Sequence, residues 1–150
     1  MFATPAIGAF IMVLWDLSLD PSASTLGGWW VWEKGGGFFG VPLTNYLGWY
    51  LTVFVFMQLF ALYVAAWGPE KPEPQPKGYY LQAVAMYAIV ALQFVASWAV
   101  SRSEPLVDAN GIAWRSGDLL ETSAITAIFT MLFVATLALI TIARSRTTKA

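Results

Sequence analysis

Three long apolar runs, at residues 45–67, 79–100 and 119–143, constrain this chain more than any other feature of it. At about 1.5 Å of helical rise per residue, each is long enough to cross a hydrocarbon core about 30 Å thick. Lipid offers no hydrogen bonds, so a crossing segment must satisfy its own backbone, which predicts helices. A fourth segment, 2–19, is also strongly apolar, but it is only just long enough and carries Asp16. It is expected to span as well. A cleaved signal peptide fits poorly, because the segment lacks a basic stretch at its start and the motif described below begins inside it. The predicted fold is an all-α membrane protein: one domain over residues 1–150, a polytopic bundle of about four transmembrane helices, an aromatic, glycine-rich interfacial segment over 20–44, and no sheet.

The connectors agree with that division. Residues 68–78 read GPEKPEPQPKG, four prolines and four charges that suit a short extended loop and neither helix nor strand. The stretch 101–118 holds Arg102, Glu104, Asp108, Arg115 and Asp118 with an Asn110-Gly111 turn signal, and belongs in water or at the interface. Composition excludes whole classes of function. The chain is 58% apolar and 11% charged, against about 45–50% and about 25% in soluble domains. A net charge of -1 offers no footprint for nucleic acid. With no Cys and no His there is no disulfide, no thiol or Ser-His nucleophile and no imidazole metal ligand. Asn, Gln or a backbone carbonyl could hold a chlorophyll magnesium, but no residue is singled out for it; no metal is expected and no cofactor is required. With four spans, Lys71, Lys77, Arg144, Arg146 and Lys149 share one side against Lys34, Arg102 and Arg115 on the other. That bias predicts a cytoplasmic C-terminus.

The stretch from Ser18 to Tyr50 is the most specific part of the chain. It interleaves Trp29, Trp30, Trp32, Phe38, Phe39, Tyr46, Trp49 and Tyr50 with Gly27, Gly28, Gly35, Gly36, Gly37 and Gly40. Two readings stand side by side. One is an aromatic belt at the membrane–water boundary, where a ring is half apolar and its polar atom stays wet. The other is the wall of a lipid-facing pocket for a long flat hydrophobic molecule.

The order Asp16-Leu-Ser-Leu-Asp20-Pro21, Gly28-Trp-Trp30-Val-Trp32 and Gly37-Phe-Phe39-Gly40-Val41-Pro42-Leu-Thr-Asn45-Tyr-Leu-Gly48-Trp49 resembles the signature of the membrane-integral carotenoid hydratases. The resemblance covers about 35 residues directly, with compatible hydropathy to the C-terminus. It implies a multispanning protein that adds water across the terminal double bond of an acyclic carotenoid, giving a tertiary alcohol. It also implies that carotenoid is the bound pigment or substrate and that the home is a bacterial inner or photosynthetic membrane. Family members are longer, with several spans ahead of the D-x3-DP helix, whereas Asp16 here stands fifteen residues after Met1. The corresponding expectation is that the carotenoid-shaped surface persists while chemistry is lost.

Alkene hydration needs a proton donor, a surface that tolerates a tertiary cation, and a positioned water. Asp16 and Asp20 are one helical turn apart and face the same way if the helix continues through both. They are the candidate catalytic pair, with the faces of Trp30, Trp32 or Trp49 as the cation-stabilising surface. Asp20 has a competing structural role, since Asp followed by Pro is a standard N-cap and first-turn pair for a following helix. Asp16 leans to function, because an ionisable group inside an apolar span is costly. Candidate ligand- or partner-binding residues are Trp29, Trp30, Trp32, Phe38, Phe39, Asn45 and Trp49. Polar stripes at Asn45/Gly48/Thr52, Gln82/Gln93/Ser97 and Ser123/Thr126/Thr130 read first as helix–helix packing. Three functions remain open: a pigment-binding or structural subunit of a photosynthetic or other membrane complex, which ranks first, an active carotenoid hydratase, and a small membrane scaffold. The expected partners are lipid, carotenoid and other protein subunits.

Overall fold

The computed structural model describes residues 2–69, 73 and 75–145. It contains four helices long and apolar enough to cross a membrane: α1 (Ala3–Leu26), α2 (Leu43–Trp67), α3 (Lys77–Val100) and α4 (Ser116–Arg144). The chain is an integral membrane protein with an all-α bundle. Pro42 and Pro76 hold extended backbone immediately ahead of α2 and α3, so each helix begins just after a residue that has no N–H to donate.

The sequence expectation needs two corrections. The first concerns Asp20, which does not cap a new interfacial helix. Its backbone is helical (φ -59°, ψ -42°), its side chain makes no cap hydrogen bond, and α1 runs on as a π-helical turn over Pro21–Leu26. Pro21 has no N–H for the Leu17 carbonyl and its ring crowds the preceding turn. A wider turn relieves that crowding, and the Ser22 hydroxyl donates to the Leu19 carbonyl at 2.8 Å. The Asp-Pro pair thus widens a helix instead of starting one.

The second correction is a small sheet. Strands β1 (Pro105–Val107) and β2 (Ala113–Arg115) pair antiparallel, with Leu106 opposite Trp114. Asp108 organises the turn between them. Its Oδ1 accepts the N–H groups of Asn110 and Ile112, both at 2.9 Å, and its Oδ2 accepts Trp114 Nε1 at 2.7 Å. Slight desolvation opposes the charge on Asp108, but these three donors outweigh it and hold the carboxyl below its ordinary value. Strands of three residues are too short to show a period of two in sequence, although Asn110-Gly111 marks the turn, with Gly111 at φ 79°.

Helix α1 is the hub, packing against α2, α3 and α4, whereas α2 packs chiefly on α1. Between helices in lipid the driving force is close contact, which small residues permit. Ala91 of α3 and Ala127 of α4 are fully buried around Phe94 and Met131, with Leu14, Trp15 and Leu19 of α1 closing the cluster. Tyr87 ties α3 to α1 by donating to the Ile11 carbonyl at 3.0 Å. Phe10 meets Tyr50 across the α1–α2 seam, with ring centroids 4.7 Å apart. Lys77 Nζ reaches the Ala143 carbonyl, so the start of α3 and the end of α4 share one end of the bundle, opposite the hairpin. Of the cations used to orient the chain, Lys71, Arg146 and Lys149 lie outside the described residues.

Candidate functional site

Met12, Trp15, Asp16 and Leu19 recur at helical spacing and form one face of α1. That face looks into a cleft of about 410 Å³, walled on the far side by Trp30 and Trp32 of the interhelical loop and Trp49 of α2. Asp16 and Asn45 give this otherwise apolar cleft its polar end.

Asn45 stands in the first turn of α2, where the helix's N–H groups favour negative charge nearby. Its Nδ2 donates to both carboxylates, to Asp16 Oδ2 at 3.0 Å and to Asp20 Oδ2 at 2.5 Å. An amide nitrogen has two hydrogens, so each carboxylate receives one. Asp20 is 0% exposed and Asp16 6%, and burying an acidic pair this thoroughly in a membrane bundle is expensive. Three further buried polar atoms around this junction have no partner among the described residues: Asp20 Oδ1, Trp32 Nε1 and Tyr46 Oη. Native proteins leave few such atoms unpaired.

The loop that carries Trp30 and Trp32 is fastened at several points. Thr25 donates to the Phe39 carbonyl at 2.5 Å. Gly40 passes directly over Thr25 at φ 85°, where a Cβ would stand 2.8 Å from the Thr25 hydroxyl, so both backbone conformation and space demand glycine. Phe38 packs edge-on against Phe39 and Tyr46, at 5.3 and 5.9 Å. The hairpin holds the loop from outside, with Asn110 Nδ2 donating to the Trp32 carbonyl at 3.0 Å and the Trp114 ring 6.0 Å from that of Phe39.

Asp16, Asp20, Asn45, Trp30, Trp32 and Trp49 therefore converge. Trp29 does not; it is 73% exposed and turns outward beside Trp30. Phe38 and Phe39 brace the loop and do not line the cleft. Sequence reasoning missed Met12, Trp15 and Leu19, although their spacing with Asp16 was a usable signal, and it missed the hairpin's Asp108, Asn110 and Trp114. The polar stripes divide. Asn45, Gly48 and Thr52 line a second depression of about 370 Å³ that shares Trp32 and Trp49 with the cleft; Asn45 also joins α2 to α1 through the carboxylates, whereas the exposed Gly48 and Thr52 face the groove. Gln82, Gln93 and Ser97 are exposed, whereas Ser123 is fully buried. Thr126 and Thr130 bond back to carbonyls four residues earlier.

The family described as carotenoid biosynthesis protein matches residues 1–115, which take in α1, the aromatic loop, α2, α3 and the hairpin. No curated protein and no solved structure matches the chain.

Proposed function

The chain belongs to the carotenoid biosynthesis protein family, and from that membership we propose that the cleft receives one end of an acyclic carotenoid and that the Asp16–Asp20 pair adds water across its terminal double bond. The observation that carries this reading is the buried acidic pair. A carotenoid hydrocarbon offers neither charge nor hydrogen-bond donor, so a site that only held it would need the aromatic walls and nothing more. Two carboxylates at 0% and 6% exposure are a heavy burden unless they act on the bound molecule. The cleft accommodates an end group, and the depression along Asn45, Gly48 and Thr52 continues it along the lipid-facing side of α2, where a polyene would lie.

In the reaction the pair begins with one proton. Asp16, on the cleft wall, gives it to the less substituted carbon of the double bond, and the positive charge falls on the tertiary carbon. The faces of Trp15, Trp30 and Trp49 stabilise that cation. Water adds to it and releases a proton, which Asp20 accepts. One carboxylate has lost a proton and the other has gained one, so alkene plus water gives the tertiary alcohol with the pair's proton count unchanged, and return of the proton from Asp20 to Asp16 resets the site. Asn45, bonded to both, keeps the two carboxylates side by side in either state.

Production in a lycopene-accumulating bacterium, with extraction of the pigments, tests the proposal. A tertiary carotenoid alcohol made by the native chain and missing from a chain with Asp16→Leu, Asp20→Leu and Asn45→Leu together supports it. The outward Trp29 and Leu43, at 73% and 69% exposure, favour a second reading, a pigment-holding subunit of a larger complex in a bacterial inner or photosynthetic membrane. Unmodified carotenoid that co-purifies with the native chain and with further subunits, without any alcohol, would replace the first reading with the second. By the charge bias the C-terminus is assigned to the cytoplasm, which places the hairpin on the opposite face.

A further inference from the structure

A second cavity of about 240 Å³ lies under the hairpin. It is lined by Ser24, Thr25, the Gly27–Gly28 backbone, and Asp108 and Asn110 of the turn. It is more polar than the cleft: hydroxyls, a carboxylate, an amide and bare peptide groups join the aliphatic Leu26, Val31 and Leu106 and the indoles of Trp30 and Trp32. The two spaces nevertheless share a boundary, because Trp30 and Trp32 line both. A cavity of this volume and polarity has room for several waters and partners for them.

A line of buried polar groups crosses from one space to the other. Asp16 lies on the cleft, Ser24 lies on the polar cavity, and Asp20 is spaced four residues from each on the same helix. All three are at most 6% exposed. Asp20 Oδ1 and Trp32 Nε1, the first on that line and the second on the shared wall, are buried and unpartnered among the described residues. Polar atoms left this way cost free energy unless something pairs with them. Water arriving from the hairpin side would pair with both.

We propose that the polar cavity beneath the hairpin is a water vestibule that feeds the carotenoid cleft past Asp20, with Trp30 and Trp32 as the wall between water and lipid. The inference rests on the hydration reading, since only a site that consumes water needs such a supply. The hairpin belongs to the device. Asn110 holds the Trp32 backbone in place, so the wall is positioned from the aqueous side by the turn that Asp108 organises.

The absence of cysteine from the chain allows single cysteines to report on access, with the full chain in lipid nanodiscs that leave both membrane faces open. The probes are a quaternary-ammonium methanethiosulfonate, which requires water, and N-ethylmaleimide, which also enters lipid. Ser24→Cys should react with the cationic reagent at least tenfold faster than Met12→Cys, on the cleft, or Leu59→Cys, on the exposed side of α2. Adding Trp32→Ala should bring Met12→Cys up to the Ser24→Cys rate. Should that variant fail to insert, Asn110→Ala, which leaves the ring but frees its backbone, should raise the Met12→Cys rate in the same direction. Ser24→Cys reacting with the cation no faster than Leu59→Cys would overturn the vestibule. A Met12→Cys rate unchanged by opening the wall would overturn the role of Trp32 as the barrier. Both readouts are taken without substrate, so a chain that shows this access but makes no alcohol refutes hydration alone, and an active hydratase with a shielded Ser24→Cys refutes the vestibule alone.

Discussion

Replacing Asn45 by Leu keeps the side-chain volume and removes the one donor that Asp16 and Asp20 share. In membrane proteins a lost side-chain hydrogen bond costs about 0.6–1.7 kcal/mol, because the unfolded state in lipid also finds partners. The larger effect here is what is left behind. Asp20 is 0% exposed and keeps no protein donor among the described residues once Asn45 is gone, so its carboxyl bears an unsatisfied-group penalty of about 1–3 kcal/mol. Asp16 borders the cleft and loses less, about 1–2 kcal/mol on the same scale. Asn45→Leu should therefore destabilise the bundle by about 2–5 kcal/mol. Thr52→Ala, on the same helix face, should stay within about 0.5 kcal/mol of the native chain. Adding Asp16→Leu and Asp20→Leu to Asn45→Leu removes the groups as well as their donor, and should return stability to within about 1–2 kcal/mol of native. Reversible unfolding in mixed detergent–lipid micelles, followed by tryptophan fluorescence, measures all four. An Asn45→Leu variant as stable as Thr52→Ala, or a triple apolar variant less stable than the single one, would refute the reasoning.

Gly40→Ala places a Cβ against the Thr25 hydroxyl at a backbone angle of φ 85°; a loss of about 1–2 kcal/mol, seen as a lower melting temperature in detergent, is expected, and an unchanged melting temperature would contradict it. Ala91→Leu overfills a fully buried contact between α3 and α4 and should cost about 1–3 kcal/mol by the same unfolding measurement, whereas Ile89→Leu at an exposed position should be neutral. The hairpin should be acid-sensitive. Hydrogen bonds to its carboxylate keep Asp108 below its ordinary value of 3.8, so its contribution is fully present above that pH and disappears as pH falls through the lower folded value. Amide exchange of Asn110 and Ile112, the residues that donate to Asp108, should show protection factors that collapse in that acid range; steady protection there would rule out the carboxylate as the organiser of the turn.

The amino-acid sequence by itself determined that this chain lives in a membrane and crosses it as about four helices, as found among the described residues, because 20-residue apolar runs in lipid have no other way to satisfy their backbone. It also picked out Asp16, Asp20, Asn45 and the tryptophans, since carboxylates in an apolar span and indoles packed among glycines are costly or unusual wherever they occur. Only the tertiary structure decided which of these meet. Asn45 lies 29 residues from Asp16 and 25 from Asp20, and no local pattern announces that one amide will serve both. Nor could spacing reveal that Asp20-Pro21 widens α1 instead of ending it, because the same pair caps a helix when the chain turns away and is carried through one when packing against α4 holds the segment in line. The hairpin lay below the reach of sequence for two reasons: its three-residue strands are too short to show a period, and the Asn110–Trp32 contact across 78 residues that ties it to the aromatic loop exists only once the bundle has brought both connectors to the same face.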